Sequence, residues 1–174
     1  MSNELEVKIK YFDKDVNGDP CYPLKKLSKG DWIDLHVVSA AVYRNGNEVN
    51  SASLEWCEGG VLDTLEYRFG ELIVVKLGVA MKLPDGYEAH IAPRSSTFEK
   101  YGLLLTNSMG IIDNSYSGDD DEWLGKFYAT RDGKITIGDR LLQFRLQKKM
   151  LNVTFTEVNK LEGPNRGGFG STGR

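Results

Sequence analysis

The sequence predicts an all-β fold, either an antiparallel sandwich or a jelly roll. Short runs rich in β-branched and aromatic residues are separated by glycine and proline. No long segment keeps a 3.6-residue apolar period, so helix is expected to be a minor component. Turn signals recur at close spacing, which favours these architectures over a parallel sheet. With 174 residues, 40% of them hydrophobic, the chain is expected to form one domain.

Nine segments have the composition of strands. Each is bounded by turn residues and is rich in valine, isoleucine, leucine, threonine or aromatic side chains. In chain order they are Glu6–Phe12, Asp34–Val38, Leu72–Leu83, Tyr87–Ala92, Leu103–Thr106, Lys126–Thr130, Lys134–Ile137, Leu141–Leu146 and Asn152–Val158.

Two further segments interrupt this pattern. Ser96 to Glu99 reads as a capping box that Gly102 closes, so it predicts a single helical turn. Residues Tyr43–Arg68 contain an Asn45-Gly46 turn signal and a glycine pair, which predict an inserted hairpin or loop excursion.

The C-terminal end has a different composition from the rest of the chain. Between residues 163 and 173 there are five glycines, and Phe169 is the one large apolar side chain. Such a segment cannot bury enough apolar surface to order itself. We therefore predict a β-domain over residues 1–163 and a flexible arm over residues 164–174.

Charge and hydropathy exclude several classes of protein. The formal net charge of −3 argues against broad attachment to nucleic acid or to an anionic membrane. No stretch approaches the roughly 18 to 20 apolar residues that cross a bilayer, so a soluble, intracellular protein is expected. An anionic substrate would need local cations or a metal. Both histidines, His36 and His90, fall inside predicted strands and are expected to be structural.

Three small motifs could carry chemistry, although each has a structural alternative. Arg94, Ser95 and Ser96 open the predicted helical turn, where backbone N–H groups and hydroxyls can hold phosphate oxygens. A surface capping turn explains them equally well. Asp113 follows an apolar run and precedes Tyr116, which suits a general base or a simple turn aspartate.

The third motif, Gly138-Asp139-Arg140, leads into a predicted buried strand with Gln143 as a polar exception. By itself this motif is better explained as a strand start with solvated charges.

Together and in this order, the motifs resemble those of the trimeric dUTPase family. The likeness runs over five motifs: Gly30–Leu35, Pro93–Ser96, Asn107–Gly118, Gly138–Phe144 and Arg166–Gly173. The resemblance implies a jelly-roll-like fold and a homotrimer with active sites at subunit interfaces. It also implies a flexible C-terminal arm and hydrolysis of dUTP to dUMP and pyrophosphate, which keeps uracil out of DNA and supplies dUMP for thymidylate synthesis.

The resemblance also assigns roles to individual residues. Asp113 matches the general base that activates water for attack on the α-phosphorus, and Tyr116 matches the ring that excludes a 2′-hydroxyl. The remaining matches to substrate-binding positions fall into three groups: the uracil-binding hairpin residues Asn107, Gly110 and Ile112; the phosphate-side residues Arg94, Ser95, Ser96, Arg140 and Gln143; and the arm residues Arg166, Phe169, Gly170, Ser171 and Thr172.

The resemblance to the family also implies a metal ion. Magnesium is expected to be held mainly by the three phosphates, and Asp34 matches an aspartate that acts near it through water. Asp31-Trp32 stands where the family has Ala-Gly.

An acidic run over residues 119–122 resembles phage and prophage members of the family, and we interpret it as a solvated loop in preference to a metal site. The cytoplasm of a bacterial or phage-infected cell is the expected location.

Two alternative functions stay open at this stage. The first is a related deaminase or bifunctional enzyme that acts on dCTP, which product analysis would distinguish. The second is a nucleotide-gated regulatory protein whose residues 43–68 bind another protein.

Overall fold

The chain folds into β-strands with one short helix. The computed structural model describes residues 4–54 and 63–165. Within these ranges α1 (Thr97–Tyr101) has five residues, so no helix there is long and apolar enough to cross a membrane. The strands are β1 (Lys8–Tyr11), β2 (Ile33–Leu35), β3 (Ser39–Arg44), β4 (Asn47–Ser53), β5 (Thr64–Tyr67), β6 (Leu72–Lys76), β7 (Val79–Lys82), β8 (Tyr87–Pro93), β9 (Leu103–Leu105), β10 (Gly110–Ile112), β11 (Leu124–Ala129), β12 (Gly133–Thr136) and β13 (Leu142–Lys148).

Two antiparallel sheets form the body. One has four strands in the order β10-β8-β13-β2, and the other has five in the order β4-β3-β6-β11-β9. Two further pairs, β1-β7 and β12-β5, complete the described strands. Neighbouring strands are often distant in sequence, as they are in a jelly roll. The predicted all-β, jelly-roll-like fold is therefore confirmed.

The core lies between the two large sheets. Trp123 and Phe127 are fully buried, and the Trp123 ring meets the Phe144 ring edge-on with centroids 5.1 Å apart. Gly125 on β11 allows the sheets to approach closely, because a Cβ there would lie 2.5 Å from Leu142 Cδ1 on β13. The alternating burial of β11 matches a strand with one face on the core.

One long predicted strand, Leu72–Leu83, is wrong in detail. The structure divides it into β6 and β7, which belong to different sheets, at Leu77 and Gly78. Gly78 has a φ of +68°, and a Cβ at this position would lie 2.7 Å from Val38 Cγ1. The glycine thus redirects the chain where a larger residue would not fit.

The predicted hairpin near Asn45 is present, but its strands belong to the body. Asn45 and Gly46 both have positive φ, as a tight two-residue turn requires. β3 pairs with β4 on one side and with β6 on the other, while β5 pairs with β12. The described parts of the region 43–68 therefore extend the sheets instead of standing apart from them.

The predicted strand Asn152–Val158 is not formed. Residues 150–158 have no strand assignment, and Leu151 and Phe155 are 85% and 90% exposed. Alternating apolar side chains favour a strand, but the ladder needs a partner. No strand in the described part of the chain supplies one.

Candidate active site

A carboxylate on β2 lies between two arginines from the same sheet. Asp34 Oδ1 is 2.8 Å from Arg94 Nε, and Asp34 Oδ2 is 2.9 Å from Arg140 Nη1. Strand pairing produces this arrangement, because Gln143 on β13 stands opposite Asp34 on one side and opposite Ala92 on the other. Arg94 follows β8 and Arg140 comes shortly before β13, so both reach the same end of the sheet. We call these three residues the arginine–aspartate cluster.

The cluster carries one net positive charge and is only partly exposed. The side chains of Asp34, Arg94 and Arg140 are 25%, 29% and 49% exposed to solvent, respectively. Each guanidinium has five N–H donors, and one carboxylate can occupy only some of them. The remaining donors are therefore held in fixed directions, as a phosphate-binding site requires.

The turn after β8 is hydrogen-bonded to the neighbouring strand β13 and to Leu141, the residue just before that strand. The carbonyl oxygen of Leu141 accepts hydrogen bonds from the Arg94 N–H at 3.0 Å and from the Thr97 hydroxyl at 2.7 Å. Gln143 Nε2 donates to the Pro93 carbonyl oxygen at 3.3 Å. These contacts fix the backbone from which Arg94 projects.

Ser95 and Ser96 lie on this anchored turn, but the predicted capping box is wrong. Ser96 has helical dihedral angles, φ −89° and ψ −4°, and makes no side-chain capping hydrogen bond. An N-cap serine normally has extended backbone angles that aim its hydroxyl at the helix. Among the described residues neither serine hydroxyl has a hydrogen-bond partner, so both are available to a ligand. The helix ends at Gly102 in the left-handed conformation, as the sequence predicts.

The predicted uracil-binding hairpin forms one edge of the four-stranded sheet. β10 pairs with β8 on one side, so its outer N–H and C=O groups have no strand partner among the described residues. The turn before it is tight, with Ser108 at φ +61° and the Met109 N–H bonded to the Asn107 carbonyl oxygen at 2.6 Å. Gly110 would place a Cβ 3.3 Å from Ile91 Cβ, which favours glycine there.

Asp113 lies just beyond β10 and is exposed. Its Oδ1 accepts hydrogen bonds from the Ser115 hydroxyl at 2.6 Å and from the Ser115 N–H at 2.7 Å. The hydroxyl contact, and after it the N–H contact, lowers the pKa of Asp113 below its ordinary value of 3.8. Asp113 is therefore ionised at neutral pH and can accept a proton. We call residues 113–118 the Asp113 loop.

Tyr116 and the acidic run are tied together. The Tyr116 hydroxyl donates to the Glu122 carbonyl oxygen at 3.1 Å. The Glu122 carboxylate accepts from the Gly78 N–H at 3.1 Å and lies 3.4 Å from Lys76 Nζ. Asp120 is 99% exposed, whereas the Glu122 side chain is 11% exposed. The run is thus a solvated loop at its start, as interpreted from sequence, but Glu122 fastens it to the end of β6 and to the link between β6 and β7.

The arginine–aspartate cluster and the Asp113 loop lie at opposite ends of β8. Ile112 stands opposite Ala89 on β8, and Arg94 is five residues further along. At about 3.3 Å per residue this separation is about 17 Å. Lys149 follows the end of β13 that pairs with Tyr87, and its positive charge also lowers the pKa of Asp113. One chain therefore does not bring the predicted base beside the predicted phosphate ligands.

A cavity beside the arginine–aspartate cluster contains residues that the sequence analysis did not select. We call it the site cavity; its volume is about 390 Å³, and its lining includes Asp34, Arg140 and Gln143 together with Lys25, Leu27, Lys29, Trp32 and His36. The sequence signal was the cluster of lysines just before the first motif. The histidine was expected to be structural, and its ring does stack on Tyr22 with centroids 4.8 Å apart.

The pKa of His36 is nevertheless affected by the neighbouring arginine–aspartate cluster. Burial, followed by the positive charge of Arg140, lowers the pKa of His36. The other histidine, His90, contacts Glu88 at 2.7 Å and lies in mid-sheet. A larger cavity, about 730 Å³, lies near the β3–β4 hairpin, and none of the predicted site residues lines it.

The described residues do not form a cage for a metal ion. Within 4–54 and 63–165 there is no group of three histidine, cysteine, aspartate or glutamate side chains that could hold one. Both Asp34 oxygens already accept from guanidinium groups. Asp34 therefore does not fit the role of a direct metal ligand, and its action through water stays a prediction. The predicted arm residues Arg166, Phe169, Gly170, Ser171 and Thr172 lie outside the described residues.

Comparison with known proteins agrees with the motifs. The dUTPase family model matches residues 62–173. The SPbeta prophage-derived deoxyuridine 5′-triphosphate nucleotidohydrolase YosS of Bacillus subtilis is 42% identical over 169 residues, covering 97% of this chain and 99% of that protein.

Solved structures show the same fold at lower identity. A Staphylococcus bacteriophage 80alpha dUTPase with dUpNHpp has a TM-score of 0.63 at 17% identity, covering 99% of this chain and all of the other. A phage phi11 dUTPase of S. aureus, described with a structural Mg(II) ion, has a TM-score of 0.60 at 16% identity, covering 91% and 99%. With a family model over most of its length and a near full-length relative, this chain belongs to the dUTPase family.

Proposed function

We propose that the chain hydrolyses dUTP to dUMP and pyrophosphate. The observation that carries the proposal is the arginine–aspartate cluster beside two serine hydroxyls without partners among the described residues, in a chain of the dUTPase family. Fixed cationic donors and hydroxyls suit a triphosphate, whose transfer reactions depend mainly on positioning and charge stabilisation. By this reaction the protein would keep uracil out of DNA and supply dUMP for thymidylate synthesis in the cytoplasm of a bacterial or phage-infected cell.

Asp113 is the general base in this proposal. Its carboxylate is ionised at neutral pH, as that of an ordinary aspartate is, and its exposure leaves it accessible to water. The carboxylate takes a proton from a water molecule as the water oxygen attacks the α-phosphorus. The bond from the α-phosphorus to the bridging oxygen breaks, and pyrophosphate leaves in line.

Base and sugar recognition would fall to the hairpin and the Asp113 loop. The outer edge of β10 offers main-chain donors and acceptors, which suits a uracil edge read by Asn107, Gly110 and Ile112. Tyr116 follows β10 closely and its hydroxyl is fixed on Glu122, so its ring has a defined position. We assign that ring to contact with deoxyribose and to exclusion of a 2′-hydroxyl.

The separation along β8 supports a homotrimer with active sites between subunits. In a monomer the β8 residue opposite Ile112 is about 17 Å from Arg94, so the Asp113 loop and the arginine–aspartate cluster are too far apart for one α-phosphate to contact both. In a trimer, the Asp113 loop of one copy can face the arginine–aspartate cluster of another. The family resemblance implies the same arrangement.

Two further elements complete the proposal. The arm, residues 164–174, would close over the nucleotide, with Phe169 stacking on uracil while Arg166, Ser171 and Thr172 meet the phosphates and Gly170 permits close approach. Magnesium, when bound to the triphosphate, would neutralise phosphate charge. A regulatory protein partner that contacts residues 43–68 also stays a prediction.

The test is a substrate panel with the full chain. Purified protein with magnesium is incubated with dUTP, UTP, dTTP or dCTP, and pyrophosphate and nucleotide products are quantified. We expect pyrophosphate and dUMP from dUTP, and little turnover of the others. Release of a deaminated product from dCTP would favour the deaminase alternative, and inactivity towards all four would refute the proposal. Gel filtration with light scattering tests the trimer independently.

A further inference from the structure

The site cavity has a second wall, made by the loop that precedes β2. One wall contains Arg140 and Gln143, which match phosphate-side positions of the family, and Asp34, which matches an aspartate near the metal. The facing wall is formed by residues 23–32, and it contributes Lys25, Leu27, Lys29, Gly30, Asp31 and Trp32. We call this segment loop 23–32. The same space is therefore bounded by two members of the arginine–aspartate cluster, Asp34 and Arg140, and by two lysines.

The three lysines of loop 23–32 have different roles. Lys26 Nζ donates to the Gly30 carbonyl oxygen at 3.1 Å, which closes the loop on itself. Lys25 and Lys29 line the site cavity, and among the described residues neither has a hydrogen-bond or ion-pair partner. One lysine thus maintains the loop, and two are available to a ligand.

Loop 23–32 is held in place at its start. The Leu24 N–H donates to the Tyr11 hydroxyl at 3.0 Å, and the Tyr22 N–H donates to Asp13 Oδ2 at 2.9 Å. The Tyr22 ring stacks on His36, which comes two residues after Asp34 in the chain. These contacts tie the loop to β1 and to the strand that carries the cluster.

Trp32 holds the other end of the loop. Its ring lies 5.9 Å from the Arg145 guanidinium on β13, a distance that permits a cation–π contact. Loop 23–32 is therefore attached to β1 at its start and to β13 at its end, so Lys25 and Lys29 belong to a wall with a defined position.

The charge on the cavity favours a polyanion. Among the charged residues that line it, Lys25, Lys29 and Arg140 outnumber Asp31 and Asp34 by one positive charge. Arg94, whose Nε lies 2.8 Å from Asp34 Oδ1 but which does not line the cavity, supplies a second positive charge nearby. A nucleoside triphosphate carries several negative charges, most of them on its terminal phosphates, and cations near such groups strengthen binding.

We propose that the site cavity receives the two terminal phosphates of the substrate, with Lys25 and Lys29 as their additional ligands. The inference rests on the proposed function, since these phosphates are the group that leaves as pyrophosphate. Arg140 lines the same cavity and would contact the same group from the cluster side. The lysines bind and position the leaving group, and they do not take part in proton transfer.

Direct binding of inorganic pyrophosphate tests the proposal without turnover. The full chain is compared with Lys25→Gln, Lys29→Gln and the double variant, and calorimetry measures Kd for pyrophosphate and for dUMP at fixed magnesium and ionic strength. Exposed charge contacts are individually weak, so we expect about three-fold weaker pyrophosphate binding for each variant and about 10-fold for the double variant. Binding of dUMP, which lacks both terminal phosphates, should not change.

Lys8→Gln is the matched control, because Lys8 is an exposed lysine on β1 that does not line the site cavity. It should bind pyrophosphate as the unmodified chain does. Raising the salt concentration should reduce the difference between the double variant and the unmodified chain, because screening weakens exposed charge contacts. Unchanged pyrophosphate affinity in the double variant, or an equal loss for dUMP, overturns the proposal.

Failure of the proposed function would be detected in the substrate panel and not in the calorimetric comparison. If the unmodified chain releases no pyrophosphate from dUTP, the reaction assigned to it is wrong. The calorimetric comparison can still be made, and it decides whether the lysines bind this anion.

Discussion

The arginine–aspartate cluster and the Asp113 loop lie at opposite ends of β8 and are held by different contacts. The cluster joins residues far apart in sequence, such as Asp34 and Arg140, through the pairing of β2, β13 and β8. Asp113 depends on Ser115, two residues away, and is exposed. The proposed phosphate side is therefore built by the sheet, whereas the proposed base is positioned by its own loop.

This difference indicates how the activity should respond to change. A base on an exposed loop contributes little to the fold, so its replacement should affect turnover alone. The cluster is half-buried and joins three strands, so its replacement should affect both catalysis and stability. The following experiments test that contrast, from the largest expected effect to the smallest.

Asp113→Asn should have the largest effect on turnover. An amide cannot accept the proton of the attacking water, and loss of a general base lowers the rate by about 100-fold to 10,000-fold. The melting temperature should hardly change, because the side chain is exposed. Steady-state kinetics with dUTP and a thermal melt measure the two quantities.

Asp120→Asn provides the control for that variant. Asp120 is a nearby aspartate with a 99% exposed side chain and only a 3.8 Å contact with Lys10. It should retain normal turnover. If Asp113→Asn were as active as this control, Asp113 would not be the base.

Removal of the arm, residues 164–174, should come next. The proposed closure orients the triphosphate, and loss of such positioning typically costs about 100-fold in rate. The melting temperature and the oligomeric state should be retained, because residues 163–174 include five glycines and only one large apolar side chain. Kinetics, a thermal melt and light scattering on the truncated chain measure these properties. Full activity after truncation would contradict the lid.

Asp34→Asn should lower kcat/KM by roughly 10-fold and also lower the melting temperature. The amide cannot satisfy two guanidinium groups, which would then repel each other and lose their fixed directions. A double-mutant cycle with Arg140→Gln separates this effect from simple loss of charge. If the two substitutions are additive in both kcat/KM and stability, Asp34 does not act through Arg140.

The sequence predicted the fold well because its signals are local. Strand composition and turn residues located most elements, and the Asn45-Gly46 turn lies where expected. The break at Gly78 was missed because it depends on packing against Val38, which is distant in sequence. Asn152–Val158 has the alternation of a strand but no described partner, and a composition pattern cannot supply one.

The sequence selected three residues that the structure brings into contact, but it did not predict how they contact one another. The family resemblance pointed to Asp34, Arg94 and Arg140, and the structure does bring these three together. Their mutual contacts follow from strand register, which short motifs do not encode. Lys25 and Lys29 were missed because a cluster of lysines in the sequence does not show which of them will line a cavity in the folded chain.

Ser115→Ala tests the Asp113 loop and should have the smallest effect of these variants. The Ser115 hydroxyl is the main cause of the lowered Asp113 pKa, so its removal should return that pKa towards 3.8. A depressed pKa keeps the carboxylate ionised down to lower pH, and activity is lost as the pH falls through that value. The acidic limb of the kcat/KM profile should therefore move to higher pH in Ser115→Ala, with little change in rate at neutral pH. Tryptophan fluorescence at each pH confirms that the protein is folded.

Ser117→Ala is the matched control for this shift, because the Ser117 hydroxyl lies in the same loop but donates to the Asn114 carbonyl oxygen at 3.0 Å. Its acidic limb should coincide with that of the unmodified chain, since kcat/KM reports ionisations of the free enzyme. If Ser115→Ala and Ser117→Ala shift the limb equally, the effect arises from loop geometry and not from the hydrogen bond to Asp113. If neither shifts it, the acidic limb belongs to another group, and the local tuning of Asp113 by its own loop has no kinetic consequence.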